Sequence, residues 1–333
     1  MFTEAVETIL HALATPAAIR SIEHGGDARP LWAAFADSGF LELMTAEDHG
    51  GAGLSLQAMA PIFMRFGLYA LPLPAAQSIA ARVLLERSAH TVPEGMLTLA
   101  GHCIRGADGS ISAPLVPYGT LADHVLGNLD GVTVLLDAAH AQRVASGVRG
   151  SLVATLTWAG DAASPGLDSH GEDIQTFSAA IHAAALAGAM NRVFAMTLQY
   201  CNERSQFGKS IGKFQAVQHQ LSVMAEHVAA AGIAAELAFA GSGRVPLRLP
   251  SAIAKARTSM AVTLVAATAH ALHGAIGVTE EYDLQLYTRR LHEWRMIDGA
   301  ETYWNRIVGQ ALLAQENVSV SEFVRATIDA AAA

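Results

Sequence analysis

The chain has little cysteine, no surplus of positive charge and no recognisable leader, and each absence narrows the reading. Two cysteines, Cys103 and Cys201, in 333 residues make no disulfide framework, so a reducing, cytoplasmic setting is expected. Lys and Arg number 21 against 30 Asp and Glu, a formal charge of -9. That balance argues against a general nucleic-acid surface, while leaving room for local Arg/Lys patches. The start, Met1-Phe2-Thr3-Glu4-Ala5, is acidic and lacks the basic opening of a signal peptide. Apolar residues are 52%, but alanine dominates, and glycine, proline and charge interrupt the runs. No stretch is read as long and apolar enough to span a membrane. The fourteen histidines show no metal-ligand spacing. His170, His182, His219, His227 and His270 are read as helix-face or hydrogen-bonded groups. Gly50-Gly51-Ala52-Gly53 follows no strand and is no dinucleotide fingerprint. Ser151 and Ser169 sit in no nucleophile elbow. No internal repeat is visible, and no low-complexity tail beyond residues 330–333.

What is present changes texture twice. Residues 1–95 read as helices over Ala5–Leu13, Pro30–Ser38, Ser55–Phe66 and Ala75–Glu86, with turns at Gly25-Gly26 and Gly50–Gly53. Residues 96–172 carry short β-rich runs, Met96–Ala100, Val132–Asp137 and Leu152–Trp158, bounded by Gly109, Gly131 and Gly150. Residues 173–333 turn helical again over Ala179–Asn202, Phe214–Ala240, Ala252–Leu272 and Gly299–Leu313, with Pro246 and Pro250 in one connection. The fold class expected is mostly α with a small central β-domain. Ala, Val and Leu on several faces of 179–200 and 252–272 predict an oligomer interface in the C-terminal bundle.

One run concentrates chemistry. Glu203 to His219 packs Arg204, Gln206, Phe207, Gly208, Gly212 and Gln215 into a turn that opens an amphipathic helix with the stripe Phe214, Val217, Leu221, Met224, Val228. A turn needs glycine for unusual backbone angles, but not a cation, an aromatic ring and amides as well. Arg204 suits a bidentate, charge-assisted contact with phosphate, and Phe207 suits a planar ring. Taken singly, each residue also fits a solvated helix corner.

The run resembles the acyl-CoA dehydrogenase signature R-x-Q-F-G-x-x-I-x-x-F-Q-x-x-Q, with every fixed position filled. Leu272-His273-Gly274-Ala275-Ile276-Gly277-Val278-Thr279-Glu280-Glu281-Tyr282, with Leu286, Arg289 and Arg290 beyond, is similar to that family's L-H-G-G-x-G run and the helix after it. Gly39-Phe40 with Ala46-Glu47-Asp48-His49-Gly50-Gly51-Ala52-Gly53-Leu54-Ser55 resembles an N-terminal turn of the family, with Ala46 in place of its usual Pro. The resemblance implies an N-terminal helical domain, a β-domain, and a four-helix C-terminal bundle that builds the oligomer. It also implies FAD and an acyl-CoA thioester substrate, oxidised at its 2,3-bond. It carries over Arg204, Gln206, Phe207, Gln215, His273, Gly274 and Gly277 as cofactor-binding positions.

Two features depart from the family. Its T-E-P-x-x-G-S-D-like loop beside the flavin is missing; Ala162 to Ser169 is a poor match, and the β-domain is short. The base run Y-E-G-T aligns, without gaps from His273-Gly274, with Ile297-Asp298-Gly299-Ala300. Asp298 keeps a carboxylate, the candidate catalytic base, one methylene short. A shortfall on the order of 1 Å costs roughly a hundredfold in rate if uncompensated. Ala300 replaces a Thr that contacts flavin in the family. Members with the base on an earlier helix would place it at Ser178, which cannot serve. Asp298 equally fits a helix N-cap before Glu301.

Three readings stay open: a self-sufficient FAD-dependent dehydrogenase using Asp298; a subunit that completes a partner's flavin site in a hetero-oligomer of the kind associated with steroid side-chain thioesters; and a flavin-free helical scaffold. The family's FAD lies across a dimer interface. This chain keeps the half given to a neighbour (Arg204, Phe207, Gln215, Gly274, Gly277), and its own half is the altered one.

Overall fold

The structure, a computed structural model, describes residues 2–160 and 166–332. Helices open the chain: α1 (Phe2–Leu13), α2 (Pro16–Glu23), α3 (Arg29–Asp37), α4 (Leu56–Leu68) and α5 (Ala75–Arg87). A sheet follows, from β1 (Leu97–Arg105), β2 (Ile111–Val116), β3 (His124–Leu129), β4 (Val132–Asp137), β5 (Gln142–Ala145) and β6 (Ala154–Trp158). The rest is α6 (Glu172–Glu203), a hairpin of β7 (Ser205–Gln206) and β8 (Lys209–Ser210), then α7 (Gln215–Leu237), α8 (Arg248–His273), α9 (Leu284–Met296), α10 (Glu301–Leu313) and α11 (Val320–Ala332).

Local chemistry sets several boundaries. Thr15 caps α2, its hydroxyl accepting from the Ala18 amide at 3.2 Å, with Pro16 in the first turn where a missing N–H costs nothing. Ser55 caps α4 in the same way. Glu172 and Asp173 occupy the first turn of α6, where negative charge meets the positive helix end. Expected boundaries shift at the bundle. The helix expected from Ala179 starts at Glu172, and the one expected from Gly299 starts at Glu301. α2 and strands β2, β3 and β5 were not legible, being too short for a clear period.

α6 is the axis of the molecule. It packs on α4, α7, α8, α9 and β1, and nearly every face from Ile174 to Val193 is buried. Two glycines permit the closest crossing: a Cβ on Gly188 would run into the Met64 carbonyl of α4, and one on Gly67 into the Ala185 carbonyl of α6. The sheet runs β4-β3-β1-β2-β6-β5; β1 and β3 are parallel and the other pairs antiparallel. A bulge between Ala100 and Cys103 interrupts the β1–β3 register beside the bundle. Cys103 and Cys201 are free and buried.

One sequence expectation is corrected. Two helical stretches, Glu172–Glu203 and Arg248–Val278, are long and apolar enough by length and composition to cross a membrane. Their alanines and valines raise the mean hydropathy without a visible run of large apolar residues. Within the chain, 72% of the most apolar window of the first is buried, as expected of a core helix, but only 39% of the second. The exposed positions of the second are mostly small, Thr263, Ala267, Ala271, Gly274 and Ala275, with Met260 and Val278 as its exposed large apolar side chains.

Candidate active-site cleft

A cleft of ≈1000 Å³ opens between the sheet and the bundle, walled by β1, β2, the start of α6, Arg248 of α8 and the end of α9. Asp298 lies at its floor, in the turn Ile297–Gly299 between α9 and α10. It adopts a left-handed φ of 56°, rare for a residue with a side chain. Gly299 follows at φ 109°, and a Cβ there would press on Tyr303.

The surroundings over-determine this turn. The Ser178 hydroxyl of α6 donates to Asp298 Oδ2, and the Gly101 amide of the β1 bulge also supports the carboxylate. The side chain is 9% exposed. Gln175 Nε2 donates to the Asp298 carbonyl at 3.4 Å, and Trp304 Nε1 to the Gly299 carbonyl at 3.1 Å. Burial pushes the Asp298 carboxyl up to about 6; the Ser178 hydroxyl, the Lys255 charge and the Gly101 amide oppose a larger rise. Asp298 is no helix cap. α10 begins at Glu301 behind Ala300, and the carboxylate points to α6 and β1 instead.

Behind the carboxylate the interior is closed. His182 of α6 is buried, and its Nδ1 donates to the Ser178 carbonyl at 2.8 Å. Burial and the nearby Lys255 charge push His182 down to about 3, so the ring is neutral near pH 7. Its Nε2 has no partner among the described residues. It borders a void of about 20 Å³ among Phe63, Phe66, Tyr118 and Trp294, room for roughly one water and not for an acyl chain.

The signature run lies elsewhere. None of Arg204, Gln206, Phe207, Gln215, His273, Gly274 or Gly277 lines the cleft that holds Asp298. Arg204 ends α6, and Phe207-Gly208 forms a two-residue hairpin turn with φ of 51° and 81°. Phe207 is 90% exposed, touching Phe214 edge-on at 6.2 Å. A bulky ring in a left-handed turn, held out in water, is unfavourable twice over, and such outliers cluster where chains bind something. Arg204, Gln206 and Gln215 are exposed, and Arg204 makes no ion pair among the described residues. His273 is buried, stacked on Tyr200 at 4.5 Å, with Nδ1 donating to the Ala269 carbonyl. Gly274 takes φ 63° in the turn after α8, and a Cβ on the buried Gly277 would crowd His273 and Leu284.

The poor loop match spans Ala162 to Ser169. Residues 162–165 lie outside the described residues. Asp168 beyond them is tied into the fold by the Ser88 hydroxyl and by Thr133 Oγ1 at 2.6 Å. Sequence reasoning missed Gly101, Gln175 and Lys255. A lone lysine inside the alanine-rich run Ala252–Ala261 was the one signal for Lys255.

Fold and site together describe a helical protein with an inserted sheet and a buried carboxylate at their junction. Residues 176–313 match the acyl-CoA dehydrogenase C-terminal domain. The acyl-CoA dehydrogenase IpdE2 of Mycobacterium tuberculosis is 29% identical over 296 residues, 88% of this chain and 90% of the relative. The ChsE4–ChsE5 complex from Mycobacterium tuberculosis superposes with a TM-score of 0.82 at 23% identity, over 95% of this chain and 97% of that one. The Tcur3481–Tcur3483 steroid ACAD superposes at 0.77 and 24% identity, over 94% and 96%. The chain belongs to the acyl-CoA dehydrogenase family, an FAD-dependent family of oxidoreductases.

Proposed function

We propose that this chain completes a partner subunit's flavin site in a hetero-oligomeric acyl-CoA dehydrogenase. The exposed Phe207 carries the reading: a strained, solvent-held ring beside Arg204, Gln206 and Gln215, on a surface away from the chain's own carboxylate. These side chains fit FAD by type. Arg204 offers a guanidinium to the pyrophosphate, Phe207 an apolar face to a ring, and the two glutamines amide hydrogen bonds. Bound there, FAD would accept hydride from the acyl thioester.

The chain's own half supports the same reading. Asp298 is engaged by Ser178 and Gly101, which occupy its carboxylate within the chain. Two structurally similar proteins are heteromeric complexes, one of them a steroid ACAD, which favours a partner of the same family and a bulky acyl-CoA. Met260 of α8 and Val278 just beyond it, both exposed, supply apolar surface for such an assembly.

A second reading rests on the cleft itself: ≈1000 Å³ with a carboxylate raised to about 6 suits a homo-oligomer using Asp298 as base. The flavin-to-chain ratio separates the two. A partner-completing subunit made alone holds almost no flavin, and gains it with a dehydrogenase encoded nearby. One FAD per chain in the protein made alone would refute the first reading.

A further inference from the structure

Lys255 is fully buried in α8, among alanines, and its ammonium reaches past its own helix. Nζ donates to the Arg295 carbonyl at 2.8 Å, the Trp294 carbonyl at 3.1 Å and the Gly299 carbonyl at 3.2 Å, with Ser259 Oγ at 3.3 Å. Two of these carbonyls close the C-terminal end of α9, where a cation is favoured by the helix dipole. The third ends the turn that carries Asp298. Lys255 thus grips the turn from both sides of Asp298 without claiming its carboxylate. A buried ammonium is costly unless its surroundings repay it, and a turn with a non-glycine residue at φ 56° needs such support.

We propose that Lys255 is a positioning residue for Asp298: its three backbone hydrogen bonds hold the Ile297–Gly299 turn in the conformation that delivers the carboxylate to Ser178 and the Gly101 amide. The role is the same whether or not Asp298 takes a proton in catalysis. His182 on α6 and Lys255 on α8 are the titratable groups nearest the carboxylate, and Arg295 and Glu301 act on Lys255; His102 of β1, Glu172 of α6, Arg248 of α8 and Arg289, His292 and Glu293 of α9 line the same cleft.

Proton affinity of Asp298 reports its placement. In the assembled protein labelled with 13C at the aspartate carboxyl carbons, with Asp298→Asn to assign the signal, the wild-type midpoint falls near about 6. Lys255→Met removes the donors. With the turn released, the carboxylate reaches water and its midpoint drops towards the ordinary 3.8, a proton affinity weaker by roughly a hundredfold. Lys255→Gln keeps an amide donor for the carbonyls, loses the charge, and leaves the midpoint at or above the wild-type value. Loss of a counter-charge alone would raise the midpoint in both variants. A Lys255→Met midpoint that rises, or falls by less than tenfold in affinity, overturns the proposal. If Lys255→Met does not fold, Lys255→Gln decides through backbone exchange: with two donors for three carbonyls the turn loosens and the Asp298 and Gly299 amides exchange faster than in wild type, and unchanged exchange overturns the proposal.

Discussion

Asp298→Asn separates a buried structural carboxylate from a catalytic base, and the structure sets the size of the effect. The folded carboxyl titrates near about 6 against an ordinary 3.8, a difference of about two units. At roughly 1.4 kcal/mol per unit, ionising Asp298 costs the native state about 3 kcal/mol above both values. Because the folded value is the raised one, the native state binds more protons between the two. Its relative stability is complete below 3.8 and is lost as pH rises through 6. An asparagine is neutral throughout. Between pH 5 and pH 8 the variant should therefore gain on the wild type by about 1.5 kcal/mol, or about 2–4 °C in melting temperature for a chain of this size. Lys255 adds in the same direction. It stands near about 7, and without Asp298 to favour its charge it titrates lower still, which penalises the variant towards acid. Thermal melts of both proteins at half-unit steps from pH 5 to 8 measure the difference. A flat difference refutes the burial argument. In the same preparations, assembled with the partner, turnover should stay within a few-fold of wild type. Loss on the order of a hundred- to ten-thousandfold, as expected for a removed base, with flavin and assembly intact, would refute the supporting-subunit reading.

Arg204→Ala should lower FAD affinity of the assembled protein at least tenfold, since a charged hydrogen bond is worth roughly 1.5–3 kcal/mol. The melting of the apo-protein should hardly move, and unchanged flavin content would end the phosphate role. Phe207→Ala should leave chain stability unchanged or slightly improved, because the ring is 90% exposed at positive φ, while flavin retention in the complex falls; a destabilised apo-chain would show that the ring packs in the fold. Gly188→Ala should cost at least about 1–3 kcal/mol, because its Cβ meets backbone that cannot rotate away, and denaturant titration measures it. Light scattering should find the protein oligomeric at micromolar concentration, as Ala, Val and Leu on several faces of 179–200 and 252–272 predict; a stable, well-folded monomer would contradict that reading.

By itself the sequence determined the helix–sheet–helix order and the family, because helical and strand periods, glycine turns and contiguous motifs are local properties. The run from Arg204 to Gln218 was legible as chemistry for the same reason: its residues are neighbours in the chain and stay neighbours on one exposed corner. Tertiary structure alone decided where the Asp298 carboxylate is placed and that it caps no helix. Cap and base were equally compatible with Ile297-Asp298-Gly299-Ala300, since both need only a short carboxylate before a helix. The outcome depends on Ser178, 120 positions away, and on Gly101 and Lys255 from two further elements. Burial is a property of what surrounds a group, and no local pattern encodes it. The same holds for α6 and α8, alike in composition: α6 is enclosed by α4, α7, α8, α9 and β1, while the end of α8 and the turn after it keep exposed positions such as Ala267, Ala271 and Val278.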